Sequence, residues 1–148
     1  MTDIYGRRFP THRNADIESV ERDADGDVML HLGGGETVRG DRLLVATGRI
    51  PNGDQLGVAE SGVELDERGY VISDSFGRTN VEGVWALGDI SNPVQLKHVA
   101  NHEARVVAHN IAHPDDLQEM NHDLIPAAVF SHPQIGTVGL TEQQCIDR

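Results

Sequence analysis

Two short apolar runs constrain this chain more than any other feature. Leu43-Leu44-Val45-Ala46 halts at Thr47-Gly48-Arg49, and Val84-Trp85-Ala86-Leu87 halts at Gly88-Asp89. A strand that is apolar at every position, rather than at alternate ones, predicts burial on both faces, the habit of sheets covered by helices. In open α/β sheets, ligands bind outside the carboxyl ends of such strands. The sequence therefore predicts an α/β fold with a site near the ends marked by Gly48 and Gly88.

Upstream, residues 17–46 read as short strands between turns: IESVER, VMLHL, ETVRG and RLLVA, separated by DADGD and by the glycine run Gly33 to Gly35. Glycine and Asp-Gly pairs suit tight connections that need positive φ, so this stretch predicts a β-meander. The run GGGETVRGD fits neither GxGxxG nor GxxxxGK and precedes no helical pattern, which favours a plain turn over a phosphate loop. Residues 53–83 hold turn signals and one short strand at Tyr70-Val71-Ile72.

The clearest helix is LKHVANHEARVVAHNIA, Leu96 to Ala112. Ala100, Ala104, Val107, Ala108 and Ile111 recur at helical spacing and predict a buried face, with Val99 and Val106 beside it. Pro114 stops the helix, and HPDDLQEMNHD reads as an acidic linker. A strand is expected from Ile125 to Phe130, followed by a new helix after Thr141, which has capping-box spacing to Gln144. The chain is expected to end inside that element, as a truncated sequence would.

Composition narrows the function. Twelve basic against twenty-four acidic residues give a formal charge of −12, which repels phosphate backbones and anionic bilayers and argues against nucleic-acid or membrane partners. No apolar stretch is long enough to span a bilayer, the N-terminus lacks a signal-peptide core, and the single cysteine cannot form an internal disulfide, so a cytoplasmic setting is expected. An anionic dinucleotide would have to be met by local amides at a helix N-terminus rather than by a general positive field.

Asp89 is the first candidate for chemistry. A carboxylate just past an apolar strand can accept hydrogen bonds from a polyol or ribose, and Gly88 lets a ligand approach the backbone. Asp89 can equally cap a turn before Asn92-Pro93. The helix N-terminus that follows, at Gln95, Leu96, Lys97 and His98, offers unpaired amides to an electron-rich oxygen or nitrogen. His98 with His102, and His109 with His113, have i,i+4 spacing compatible with zinc, but HExxH is not met and no third ligand is near, so a polar helix face is favoured over metal. Cys145 has no basic neighbour on its N-terminal side to activate it and reads as an incidental thiol. No catalytic residue emerges from the residues alone.

The ordered set LLVATGRIPN, TNVEGVWALGD, LKHVANHEA and IPAAVFSHPQIGTVGLTE resembles the flavoprotein disulfide reductases, the class I pyridine nucleotide-disulfide oxidoreductases. The resemblance covers nearly the whole chain from about Ile17, and several motifs in order are more specific than one glycine pattern. Within the family the wording LKHVANHEARVV is most similar to members that reduce mycothiol disulfide. Dihydrolipoamide dehydrogenase and mercuric reductase are the alternative branches, and a stand-alone flavin-binding module without turnover is a rival of another class.

The resemblance implies part of the FAD/NAD(P)-linked reductase fold, a Rossmann-like flavin domain with a β-meander and the start of an α+β dimerisation domain. Residues 1–45 would be the tail of the NAD(P)H-binding domain, 46–120 the C-terminal half of the FAD-binding domain and 121–148 the beginning of the dimerisation domain. Gly88 and Asp89 would meet the ribitol chain of FAD. Gln95, Leu96, Lys97 and His98 would face the flavin pyrimidine edge, and Gly48 would lie near bound NADPH or NADH. A small-molecule disulfide substrate and a full-length homodimer are also implied. The family's first GxGxxG, its paired redox cysteines, its nicotinamide-cofactor fingerprint and its C-terminal His-Glu pair do not occur in this chain. His132, in SHPQIG, is not the family's catalytic histidine. A fragment that does not turn over by itself is the expectation, with exposed sheet edges and poor solubility or oligomers to match.

Overall fold

The structure is a computed structural model that describes residues 2–148. The chain divides into two compact units, one ending at Gly48 and the other spanning Arg49–Arg148.

The first unit holds a short helix, α1 (Thr2–Gly6), and an antiparallel sheet of β1 (Ile17–Arg22), β2 (Val28–Leu32) and β3 (Glu36–Gly40) in the order β1-β2-β3. The expected meander forms because each connection has the turn chemistry it needs. Asp23 Oδ1 accepts from the amides of Asp25 and Asp27, both at 3.0 Å, and Gly26 takes φ +89. Gly34 and Gly35 take φ +90 and +83 in the second turn, which is a plain β2–β3 connection. Val28 and Leu32, four apart in β2 and thus on one face, are its buried residues. Arg39 in β3 pairs with Asp23, Asp25 and Asp27 at 2.8 to 3.2 Å and offsets part of the charge of an acidic turn.

The expected strand at Arg42 to Ala46 is corrected. These residues form no strand, and Leu44 is 88% exposed. A fully apolar strand needs a ladder on each side, and no described strand pairs with this one. The run at Val84 to Leu87 is likewise irregular. It makes one isolated bridge, Trp85 to Arg78, together with Ala86 N–H to Gly77 O at 2.9 Å. Tyr70-Val71-Ile72 also reduces to a single bridge, between Val71 and Leu65.

The second unit is organised around α3 (Lys97–Ala112), which begins one residue later than expected. Before it lie a short helix, α2 (Val58–Ser61), and tight 3-10 turns at Gly53–Gln55 and Gly88–Ile90. Val58, Tyr70, Val71, Ala86, Val99, Val106 and Val107 are the buried apolar residues of this unit. The buried stripe of α3 is Val99, Glu103, Val106, Val107 and Asn110, whereas Ala104, Ala108 and Ile111 are exposed. The apolar count pointed at the neighbouring stripe because two positions of the true one are polar.

The acidic segment after α3 is no free linker. Asn110, wholly buried, donates through Nδ2 to Phe76 O and Gln118 O at 3.0 and 2.9 Å, and accepts from Gln118 N–H at 2.7 Å. Met120 N–H donates to Ser75 O at 2.8 Å. Beyond this segment, β4 (Ala127–Val129) pairs antiparallel with β5 (Ile135–Thr137), so the strand expected from Ile125 to Phe130 is shorter than its apolar pattern. The last helix, α4 (Glu142–Ile146), opens on Thr141 with the expected capping box to Gln144.

Candidate functional site

Gly88 adopts φ +72 at the start of its 3-10 turn, a conformation that L side chains resist and glycine takes freely. Its carbonyl accepts from Ser91 and Asn92 amides at 3.0 and 2.8 Å. The Ser91 hydroxyl donates to the same carbonyl at 3.5 Å, and the Asp89 side chain provides no cap. Asp89 is exposed, and its carboxylate makes no hydrogen bond or ion pair with the described residues. The turn-capping alternative for Asp89 therefore does not describe this structure. Asn92 performs the local capping instead, its Oδ1 accepting from Val94 N–H at 2.9 Å.

Asp89, Ile90 and Gln95 line a cleft of about 250 Å³ together with Arg49, Ile50, Pro51 and Asn52. Gln95 is one of two non-glycine residues at positive φ among those described, at φ +52. Such strain persists where the surroundings over-determine it, and it clusters at ligand sites. Here Gln95 Nε2 donates to the Tyr70 hydroxyl at 3.3 Å, and Tyr70 is buried. Leu96 then stands in extended conformation as the first cap of α3, with no side-chain capping bond. The amides of Lys97 and His98 find no acceptor among the described residues, so the helix opens with free donors and a positive dipole end.

The other candidates fall elsewhere. Gly48, at φ +125, closes the first compact unit and lines no part of this cleft. The His98 imidazole donates from Nε2 to Pro126 O at 2.7 Å, so its side chain serves the segment after α3 while its amide stays free. His102 Nε2 accepts from Asn121 N–H at 3.4 Å, and His109 Nε2 donates to Asp116 O at 2.8 Å. His109 and His113 stack with ring centroids 4.5 Å apart. Cys145 is exposed on α4.

The most buried side chains of the site were missed from sequence. Glu103 is 1% exposed, and three donors converge on it. Gly88 N–H donates to Oε2 at 2.5 Å, Asn92 Nδ2 to Oε1 at 2.6 Å and His122 Nε2 to Oε1 at 2.8 Å. A buried carboxylate is tolerated only when its lone pairs are met in this way. The available signal was a charged residue on the same helical stripe as Val99, Val106 and Val107, whose apolar character predicts burial around it.

A polyhydroxylated, electron-rich ligand suits this donor set. Asp89 can accept from hydroxyls, and Ile50, Pro51 and Ile90 supply apolar wall. The free amides of Lys97 and His98 follow Gln95 in the chain but do not line this cleft, and His98 lines a separate one with His102 and Pro126. The Arg49 guanidinium has no partner among the described residues and adds one cation. At about 250 Å³ the cleft is smaller than the roughly 300–1,000 Å³ of complete ligand pockets, so it suits part of a cofactor. The acceptor at Asp89 and the apolar wall beside it are groups that a polyol with a flat ring edge can use.

Residues 9–104 match the sequence profile of the pyridine nucleotide-disulphide oxidoreductases. The chain is 49% identical over 140 residues to mycothione reductase of Mycobacterium tuberculosis (strain H37Rv), a match that covers 92% of this chain and 30% of that protein. It is 41% identical over 135 residues to dihydrolipoyl dehydrogenase of Bacillus subtilis (strain 168), covering 90% of this chain and 28% of the relative. The chain thus spans under a third of the curated relatives it matches. Among solved structures, LpdA from Mycobacterium tuberculosis superposes with a TM-score of 0.83 at 30% identity, over 98% of this chain and 31% of that one. The HOCl-induced flavoprotein disulfide reductase RclA from Escherichia coli gives 0.81 at 25% identity, over 91% and 31%. The fold is accordingly α/β and part of the flavoprotein disulfide reductase fold.

Proposed function

The chain belongs to the pyridine nucleotide-disulphide oxidoreductase family, and from that premise we propose that it carries the ribityl and pyrimidine-edge portion of the FAD site of an NAD(P)H-dependent disulfide reductase. The observation that carries this reading is the unpartnered Asp89 carboxylate in a cleft beside the strained Gln95 and the open N-terminus of α3. Bound FAD supplies the route by which a hydride from NADPH or NADH becomes electrons for a disulfide. Asp89 orients the ribityl hydroxyls by accepting their hydrogen bonds, and Gly88 keeps the backbone free of a Cβ there. The amides of Lys97 and His98, with the helix dipole behind them, favour negative charge at the pyrimidine edge. Gly48 lies toward the nicotinamide cofactor.

In the same reading, residues 1–45 close the nicotinamide-cofactor domain, 46–120 form the returning half of the flavin domain and 121–148 begin a dimerisation domain, so the working enzyme is a homodimer. The substrate is mycothiol disulfide, supported by the wording LKHVANHEARVV and by the higher identity to mycothione reductase than to dihydrolipoyl dehydrogenase. The setting is the cytoplasm, where nicotinamide cofactors keep small thiols reduced. The 148-residue chain itself does not turn over, because it contains one cysteine and disulfide reduction in this family chemistry needs a cysteine pair.

Flavin retention tests the reading. The purified chain is loaded with FAD, freed of excess and read by flavin absorbance and fluorescence, with Asp89→Ala in parallel. The expected result is retained flavin that falls about tenfold in the variant, the loss of one charge-assisted hydrogen bond. Retention unchanged by Asp89→Ala removes Asp89 from the site. Absent retention in both chains means that the cleft does not function as a half-site. Disulfide-dependent NADPH oxidation by the chain alone would refute its inactivity.

A further inference from the structure

We propose that Glu103 is the positioning residue of the Gly88–Asp89 turn: its buried carboxylate holds the Gly88 amide inward, and this sets the outward presentation of Asp89. The inference rests on the flavin reading for its consequence, but on geometry for its substance. Glu103 lies in the second turn of α3, and its two oxygens have separate tasks. Oε2 takes the Gly88 amide alone, while Oε1 is anchored by Asn92 Nδ2 and His122 Nε2.

Asn92 and His122 come from either side of α3 in sequence, so the carboxylate is fixed in rotation before it meets Gly88. Gly88 needs that hold. Its φ of +72 is one of several that glycine can adopt, and glycine gives up more backbone freedom on ordering than any other residue. A charge-assisted bond from its amide selects this conformation and with it the direction of the next residue. Helix and turn also touch directly, since a Cβ on Gly88 would stand 3.2 Å from that of Ala100. Asp89, the residue so aimed, spends no hydrogen bond on its own turn. Glu103 touches no ligand in this arrangement and acts only through the turn.

Glu103→Gln is the sharpest variant, because it keeps the shape and puts an NH2 group where one of the converging donors needs an acceptor. Glu103→Asp keeps the charge and shortens the reach by one methylene, and it serves if the glutamine variant does not fold. Amide hydrogen exchange is followed residue by residue in the 148-residue chain, and FAD retention is measured on the same samples. The expected result is about tenfold faster exchange at Gly88, with the α3 amides of Val106 and Val107 unchanged, because one net hydrogen bond to a charge is worth about a factor of ten or more. Retained flavin should fall as it does in Asp89→Ala, and the double variant should be no worse than either single one.

Unchanged exchange at Gly88 in either variant overturns the proposal. So does a rise shared equally by Gly88 and all of α3, which is the mark of a purely structural residue. If the unsubstituted chain retains no FAD, the flavin reading fails while exchange at Gly88 still decides whether Glu103 sets the turn.

Discussion

Asp74 shows how a single side chain can organise a loop. Its Oδ1 accepts from the amides of Phe76 and Arg78 at 3.0 and 2.9 Å, and its Oδ2 meets Arg78 Nε and Nη2, both at 2.8 Å. Burial by itself would raise its pKa, but the Arg78 amide and guanidinium, the Phe76 amide and the Arg78 charge outweigh this and hold it below the ordinary carboxylate value. A depressed folded-state pKa contributes stability that is complete above the unfolded value, near 4, and is lost as pH falls through the folded one. Thermal melts should therefore lose stability on acidification below about pH 4, and Asp74→Asn should lower Tm at neutral pH while flattening that acid slope. An Asp74→Asn chain with an unaltered acid slope would remove Asp74 from this account. The sequence shows only that residues 53–83 are rich in turn signals, and the four bonds to one carboxylate depend on how Arg78 folds back.

At the scale of elements, α3 is the organising piece, and Gly77 marks how closely the loop before it approaches. A Cβ on Gly77 would meet Val107 Cγ2 and Met120 Cε, both at 2.7 Å, and Gly77 has φ +88. Gly77→Ala should combine left-handed strain with overpacking and cost about 2–4 kcal/mol, read as a lowered denaturation midpoint with an unchanged slope. A loss below about 0.5 kcal/mol would show that α3 and the loop part easily. The extent of α3 could be read from periodicity and Pro114, and so could the capping box of α4. The face that α3 buries could not. Glu103 and Asn110 are the two most deeply buried side chains, and hydropathy alone assigns such residues to solvent. Their burial follows from partners distant in sequence: Gly88, Asn92 and His122 for Glu103, and Phe76 and Gln118 for Asn110.

For the whole molecule, the decisive fact is apolar surface left open. Leu44, Val45, Ile50 and Phe130 are each more than two-thirds exposed, and Phe130 reaches 87%. Apolar runs with no ladder partner favour association. The net charge of −12 opposes it, and salt screens that repulsion to about 8 Å at physiological ionic strength. Sedimentation velocity should therefore show self-association that grows with protein concentration and with salt, and Leu44→Asp with Phe130→Asp should shift it toward monomer. A sharply monomeric chain at high salt would contradict this. No described helix is long and apolar enough to cross a membrane.

What the amino-acid sequence determined by itself was local: the meander and its turns at Gly26, Gly34 and Gly35, the span of α3, the capping box of α4, and motifs distinctive enough to indicate the family. Each rests on φ preferences, hydrogen bonds between near neighbours, or residue order. Tertiary structure decided what needs distant partners. Leu43 to Ala46 is apolar enough for a buried strand but pairs with no described strand, so its pattern goes unused. Asp89 could have capped its turn or faced a ligand, and the backbone bonds to Gly88 O leave it free for the second. Glu103 carries a charge that its sequence neighbours cannot satisfy, and its burial became possible only where three donors from other parts of the chain converge.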